Sequence, residues 1–261
     1  MDRVRQPAVA GRFYPADPGE LRAVLRSYLD AAPARGLMPK ALIAPHAGYP
    51  YSGPIAAAAY ARLQGGRARI RRVLLLGPAH RMAVQGLALP QATAFATPLG
   101  QVAVDRDAVR QIAALPQVHT LDAAHTLEHC LEVQLPFLQE KLADFKVVPL
   151  LVGKASPQEV YEVLEVLWGG EETLVVISSD LSHHQDYEAA RKIDRATTQA
   201  IETLCAQALR PGQACGCIPI QGLLQTARKH GLQAETVDLR NSGDTAGPRD
   251  QVVGYGAYVF A

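Results

Sequence analysis

The chain has 261 residues, 48% hydrophobic and 20% charged, with a formal net charge of +1. These values describe an ordinary globular protein and leave no electrostatic footprint for nucleic acid. Four cysteines are too few for a disulfide framework, no apolar run is long enough to span a bilayer, and Met1-Asp2-Arg3-Val4-Arg5 has no signal-type apolar core, so a reducing, cytoplasmic setting is expected.

Val4 to Pro18, rich in Pro, Gly and aromatics, reads as an irregular arm packed on the core. Asp17-Pro18-Gly19-Glu20 starts a helix, with Asp17 as N-cap, Pro18 in the first turn and Glu20 completing a capping box. Leu21, Val24, Leu25, Tyr28 and Leu29 follow at helical spacing. After a linker over Pro33 to Pro39, Lys40 to Ala44 is a strand, Tyr49 to Pro54 a turn and Ile55 to Leu63 an Ala-rich helix. The basic run Arg67 to Arg72 reads as a solvated loop leading into a strand at Arg72 to Leu76. Gln85 to Leu89 and Gly100 to Val104 are strands, Thr97 to Gly100 a turn, and Asp105 caps a helix through Leu115. His125 to Leu142 reads as a helix kinked near Pro136. Lys146 to Val152 is a strand, and Ser156 to Glu159 is a capping box opening a helix to Trp168. Thr173 to Ser178 is a strand, Tyr187 to Ala206 and Pro219 to His230 are helices, and Ala234 to Leu239 and Val252 to Phe260 are the last strands. Alternating helices and strands, with no repeat and no boundary, predict one α/β domain over residues 1–261.

The chemistry-bearing residues gather at predicted strand ends. Two apolar runs finish alike, Ala44-Pro45-His46 and Gly77-Pro78-Ala79-His80. A continuous apolar run is the mark of a buried parallel strand, and ligands in open α/β sheets collect at the carboxyl ends of such strands. His46 and His80 are therefore expected to face one crevice, where an imidazole pair is the beginning of a metal site. Asp180 and His183 follow the strand ending at Ser178, and only one of His183 and His184 is expected to point inward. Asp180 has the alternative use of a helix cap, and Cys215 that of a small buried apolar residue. His129 is placed on the 125–142 helix with Glu132 one turn away to orient its ring. His119, His125 and His230 read as ordinary loop or helix-end residues. Gly-x-Ser-x-Gly, a P-loop and Cys-x-x-Cys are absent from the sequence.

Taken together the motifs resemble one family. Arg5-Gln6-Pro7-Ala8-Val9-Ala10-Gly11-Arg12-Phe13-Tyr14-Pro15 looks like the opening of the Memo family (mediator of ErbB2-driven cell motility), whose prokaryotic members are protein B of the AmmeMemoRadiSam system. Pro45 to Tyr49, Gly77 to His80, Glu128 to Glu132, Ser178 to His183, Cys215-Gly216, Asn241 to Gly247 and Val253 to Tyr255 match further blocks, in order along nearly the whole chain. The resemblance implies a single three-layer domain with a central mixed, mostly parallel sheet, similar in fold to the LigB-type class III extradiol dioxygenases. Those enzymes hold non-haem Fe(II) with two His and one carboxylate. By resemblance His46 and His80 match the two His, Cys215 takes the third position, and Asp180 and His183 match the neighbouring pair; His129 is expected to line the pocket beside these catalytic candidates.

A thiolate in place of the carboxylate softens the site, which keeps copper or zinc beside Fe(II) as candidate metals. It also weakens any inheritance of ring cleavage, since function belongs to the site and not to the fold. The first reading is a metal-dependent redox enzyme in which His183, held by Asp180, handles protons. The alternatives are a binding module for a small molecule or peptide, or a metal-handling protein, in the same crevice; human members of the family are linked to phosphotyrosine-peptide binding. A cysteine hydrolase with Cys215 as nucleophile and His183 as base ranks third. An AMMECR1-type protein and a radical SAM protein are the partners that the resemblance implies, and neither nucleic acid nor a membrane is expected.

Overall fold

Runs of fully buried apolar residues form the centre of the protein. The computed structural model describes residues 3–261. Along the chain lie β1 (Val4–Arg5), α1 (Pro18–Ala31), β2 (Ala41–Ala44), α2 (Tyr49–Ala61), β3 (Arg72–Pro78), β4 (Leu87–Leu89), β5 (Ala94–Thr97), β6 (Gly100–Ala103), α3 (Arg106–Ile112) and β7 (Val118–Thr120). There follow α4 (Asp122–Thr126), α5 (Leu135–Lys141), β8 (Lys146–Val152), α6 (Pro157–Leu167), β9 (Thr173–Ser178), α7 (Tyr187–Glu202), α8 (Cys217–Lys229), β10 (Ala234–Asn241) and β11 (Gly254–Phe260).

The main sheet runs β10-β11-β2-β9-β3-β8-β4-β7, and a small sheet pairs β1, β5 and β6. Strands β2, β9, β3 and β8 are mutually parallel, while β11 and β4 run antiparallel to their central neighbours. Side chains of a strand alternate between its faces. Leu42, Ala44, Val73 and Leu75 enter one core with residues of α1, α2 and α5, and Ala41, Ile43, Leu74 and Leu76 enter a second core with residues of α3, α6, α7 and α8. This is the expected three-layer α/β domain, and burial on both faces explains why the central strands are continuously apolar. Among the described residues no helix is long and apolar enough to cross a membrane.

Local chemistry sets the element ends. Asp17 accepts from the Glu20 amide at 2.9 Å and starts α1, although the return bond of a capping box is not made. Ser156 and Glu159 form the full reciprocal box at α6. The expected turn at Tyr49 to Pro54 is instead the first part of α2. Pro50 lies in the first turn, where its missing N–H costs nothing, and the interior Pro54 is carried by burial. Gly53 makes that packing possible, because a Cβ there would lie 2.5 Å from the Tyr28 ring.

The expected 125–142 helix is also broken. It is α4, a loop, a short 3-10 turn and α5, with Pro136 in the first turn of α5 rather than at a kink. The backbone amides of His129 and Cys130 donate to Glu128 Oε1 at 2.9 and 3.1 Å, a side-chain acceptor that competes with the helical carbonyls. Strands β5 and β7 were not expected. β5 is a four-residue hairpin strand whose apolar run of three is too short to stand out, and β7 is an edge strand with two of its three residues exposed.

The amino-terminal arm is fastened by one carboxylate. Glu132 is fully buried and accepts from the Arg5 guanidinium, from Ala8 N (2.7 Å), Val9 N (3.0 Å) and Tyr14 Oη (2.5 Å). Arg5 also donates to the carbonyls of His125 and Glu128, so the arm and the 128–134 loop are one unit. Removing one partner of a buried ion pair leaves an uncompensated charge. Glu132→Ala is expected to lower unfolding free energy in urea by about 3–5 kcal/mol. Arg5→Met added to it should recover part of that loss; strict additivity of the two changes would show that the charges are not coupled.

Candidate metal centre

Register brings the expected residues together. Ala44 of β2 lies opposite Ser178 of β9, and Ile177 of β9 opposite Leu76 of β3. His46 and Asp180 each follow their strand by two residues, and His80 follows Pro78 by two, so all three emerge at one carboxyl edge. Cys215 arrives from the loop before α8. Its amide donates to Asp180 O at 3.2 Å, Asp180 N donates to its Sγ at 3.2 Å, and Gly216 N donates to Ser179 Oγ at 2.9 Å. Position 216 must be glycine for this approach, since a Cβ would lie 2.7 Å from Ser179 Cβ.

His46, His80 and Cys215 offer donor atoms that all lie within 4.8 Å of one another. Cys215 Sγ is 3.4 Å from His46 Nε2. The hydrogen-bond network fixes the ring tautomers. Ser178 Oγ gives its single proton to Cys130 O at 2.6 Å and accepts from Gln134 Nε2 at 2.8 Å. Its 2.9 Å contact with His46 Nδ1 therefore has the ring as donor, which leaves the Nε2 lone pair facing Cys215. His80 Nδ1 donates to Glu128 Oε1 at 3.0 Å while His80 N donates to Oε2 at 2.7 Å, so again Nε2 is left free. Imidazoles anchored behind by a carboxylate or hydroxyl are the usual form of a metal-ligating histidine.

Electrostatics are dominated by burial. His46 is held down at about 3 by burial, with His80 adding to the effect, and His129 at about 4 by burial and His46, so both rings are neutral. Burial pushes the Cys215 thiol up to about 12, with Asp180 adding to the effect. The Asp180 carboxyl is itself raised by burial. Glu128 stays ionised, well below the usual carboxylate range, because its bonds to His80 and to backbone amides outweigh the opposing effect of burial.

The other sequence candidates are placed as follows. His129 is close to the cluster, stacked on His80 at 5.1 Å between ring centroids and packed against Phe13 of the arm at 4.9 Å. It lies in a loop, not on a helix, and Glu132 does not orient it because that carboxylate is spent on the arm. Its Nδ1 is buried with no hydrogen-bond partner among the described residues, 3.3 Å from Glu128 Oε1. A second donor group, His80, Glu128 and His129, thus shares His80 with the first. His183 is half-buried and His184 exposed. The ring of His183 is held by Leu181 O at 2.8 Å and not by Asp180, whose Oδ1 accepts from His46 N at 2.7 Å. Asp186, not Asp180, caps α7. His125 is buried, bonded to Ala88 O at 3.0 Å, and His230 stacks on Trp168, both away from the cluster. Glu128, Ser178 and Gln134 were missed as site residues. Their signal was proximity to the His129 and Asp180 motifs, but nothing in the spacing assigns a side-chain partner across the fold. The block Asn241 to Gly247 is a structural turn: Asn241 and Asp244 form a reciprocal cap, and Tyr187 Oη donates to Asp244 at 2.5 Å.

The Memo-like protein family model matches residues 5–259. The chain belongs to the Memo family. A MEMO1 family protein of Aquifex aeolicus is 37% identical, over 99% of this chain and 99% of its own, and one from Archaeoglobus fulgidus is 36% identical over 98% and 99%. The crystal structure of an uncharacterised Escherichia coli K12 protein superposes with a TM-score of 0.53 at 13% identity, covering 85% of this chain and 99% of that one, which is a likeness of fold.

Behind this Memo centre, Asp194 of α7 holds the 180–183 loop, accepting from Ser182 N at 3.0 Å. Burial pushes its carboxyl up from 3.8 to about 6. The folded state then binds the proton more tightly than the unfolded chain, so Asp194 costs stability as pH rises from 3.8 through about 6. Asp194→Asn should remove that slope and leave the protein more stable at pH 7, by on the order of 3 kcal/mol. Urea unfolding at a series of pH values checks this; a difference between the two proteins that does not vary with pH would contradict it.

Proposed function

We propose that the chain is a metal-dependent redox protein in which His46, His80 and Cys215 hold the ion, Fe(II) foremost, with copper and zinc as the alternatives. The observation that carries the reading is the convergence of these three donors within 4.8 Å, with both Nδ1 atoms engaged from behind. Two imidazoles and one thiol suit a borderline or soft transition metal. When bound, iron or copper would supply open coordination positions and one-electron chemistry, whereas zinc would supply only a Lewis acid.

The protein's own groups do the rest. Ser178 and Glu128 keep the two imidazole lone pairs turned toward Cys215. Asp180 N donates to Sγ and so favours the thiolate that a ligand must be. His183, with Nδ1 fixed on Leu181 O, keeps Nε2 free to take a proton and return it. The hydrolase alternative fits less well. A nucleophilic thiol needs a lowered pKa, whereas burial raises this one, and the ring nitrogen near Sγ is that of His46.

His46→Ala, His80→Ala and Cys215→Ala should each lose most of the metal found by elemental analysis after anaerobic purification, with circular dichroism unchanged. Full occupancy in all three would sink the assignment. Glu128→Gln should weaken metal affinity about 10–100-fold without abolishing it. O₂ uptake by the iron-loaded protein, absent in Cys215→Ala, tests the redox part.

A further inference from the structure

A cavity of about 390 Å³ opens between the carboxyl ends of β3 and β8 and the loop leading into α8. His183 and Cys215 form part of its wall, so it adjoins the metal cluster directly. The remaining wall is mostly apolar, built from Pro78, Val152, Pro211, Ala214, Ile218 and Pro219. Among the described residues no Asp, Glu, Lys or Arg lines it. In the metal-free protein an anion placed there would give up its water without gaining a carboxylate-pairing cation, and the desolvation of an unpaired carboxylate or phosphate outweighs what apolar contact returns.

Besides His183 and the cysteines, one polar side chain breaks the pattern. Gln221 of α8 lines the cavity, and its amide nitrogen donates to Ala206 O at 2.9 Å and Leu209 O at 3.1 Å. Those two bonds use both amide protons and settle which way the group is turned. Among the described residues nothing donates to its Oε1, and an unused acceptor in a part-buried amide is suited to a donor on a ligand. The volume is also informative. An engineered cavity of about 150 Å³ holds benzene, so this one has room for two fused rings.

We infer that the site takes a neutral, largely apolar small molecule of roughly bicyclic size that carries a hydrogen-bond donor for Gln221, and that without a bound metal ion the cavity disfavours anionic ligands, phosphorylated peptides among them. The inference rests on the metal reading only for which part of the ligand reacts. The contacts that select the ligand belong to the cavity wall, so binding can be measured with and without metal.

Three probes of one shape separate the terms: 2-naphthamide (neutral, with a donor), 2-naphthoate (its anionic counterpart) and naphthalene (no donor). Titration calorimetry on the full chain, metal-depleted and iron-loaded, is the readout. The metal-depleted protein should bind 2-naphthamide at least about tenfold more tightly than 2-naphthoate. Gln221→Met should bring 2-naphthamide down toward naphthalene. Ile218→Arg supplies the missing cation and should reverse the preference in favour of 2-naphthoate, a gain that an unfolded variant cannot produce. Equal or tighter binding of 2-naphthoate by the unmutated metal-depleted protein would overturn the inference, as would no binding of any probe up to about 1 mM. A kept preference for 2-naphthamide together with absent metal uptake would count against the metal reading and leave the ligand class standing.

Discussion

The site exists because β2, β9 and β3 run parallel and in register. Parallel pairing sends three consecutive carboxyl ends out of one edge of the sheet, and the register sets how far past that edge each side chain begins. A shift by one residue would turn every side chain of the shifted strand to the other face and move its loop away from its neighbours. Burial on both faces makes such a slip costly, since each strand places apolar groups into two cores at once. The rigidity of a candidate metal centre is therefore inherited from the most deeply packed part of the protein.

Two carboxylates then convert a strand edge into a shaped site. Glu132 ties the amino-terminal arm to the 128–134 loop, and the arm brings Phe13 against His129. Glu128, four residues earlier, collects the amides of His80, His129 and Cys130 along with the His80 ring. These buried anions are tolerable because nearly every lone pair is answered by a donor, most of them backbone amides. The same bonds forbid a helix through this segment. The loss of regular structure and the orientation of the His80 ring thus have one cause.

The cluster combines features that are rarely neutral for stability. Two imidazoles are held unprotonated and a thiol is held protonated by burial, while Asp194 behind them carries a raised carboxyl. Natural proteins accept such local costs where a site must be preorganised, and offset them through the surrounding core. The adjoining cavity extends the same logic: its wall is mostly apolar, with no Asp, Glu, Lys or Arg among the described residues, so selectivity rests on shape and on one amide oxygen.

Much was legible in the sequence. Continuous apolar runs located β3, β8 and β9 and the buried strand β2, and the two Pro-containing strand ends marked His46 and His80. Caps at Asp17, Asp105 and Ser156 located their helices, because a cap is a local bond between residues three apart. What sequence could not decide was the partner that each side chain and backbone amide takes in the folded chain. Tyr49 to Pro54 carries turn chemistry yet is helical, because tertiary burial outweighs propensity. His129 sits in a loop rather than on a helix because Glu128 takes its amide, and Leu181, not Asp180, holds His183. The amino-acid pattern by itself determined the α/β class, the family and the residue types of the site. Only the tertiary structure decided which donors converge and which partner fixes each ring, because bonds such as His46 to Ser178, 132 residues apart, and His80 to Glu128, 48 apart, leave no periodic trace in the sequence.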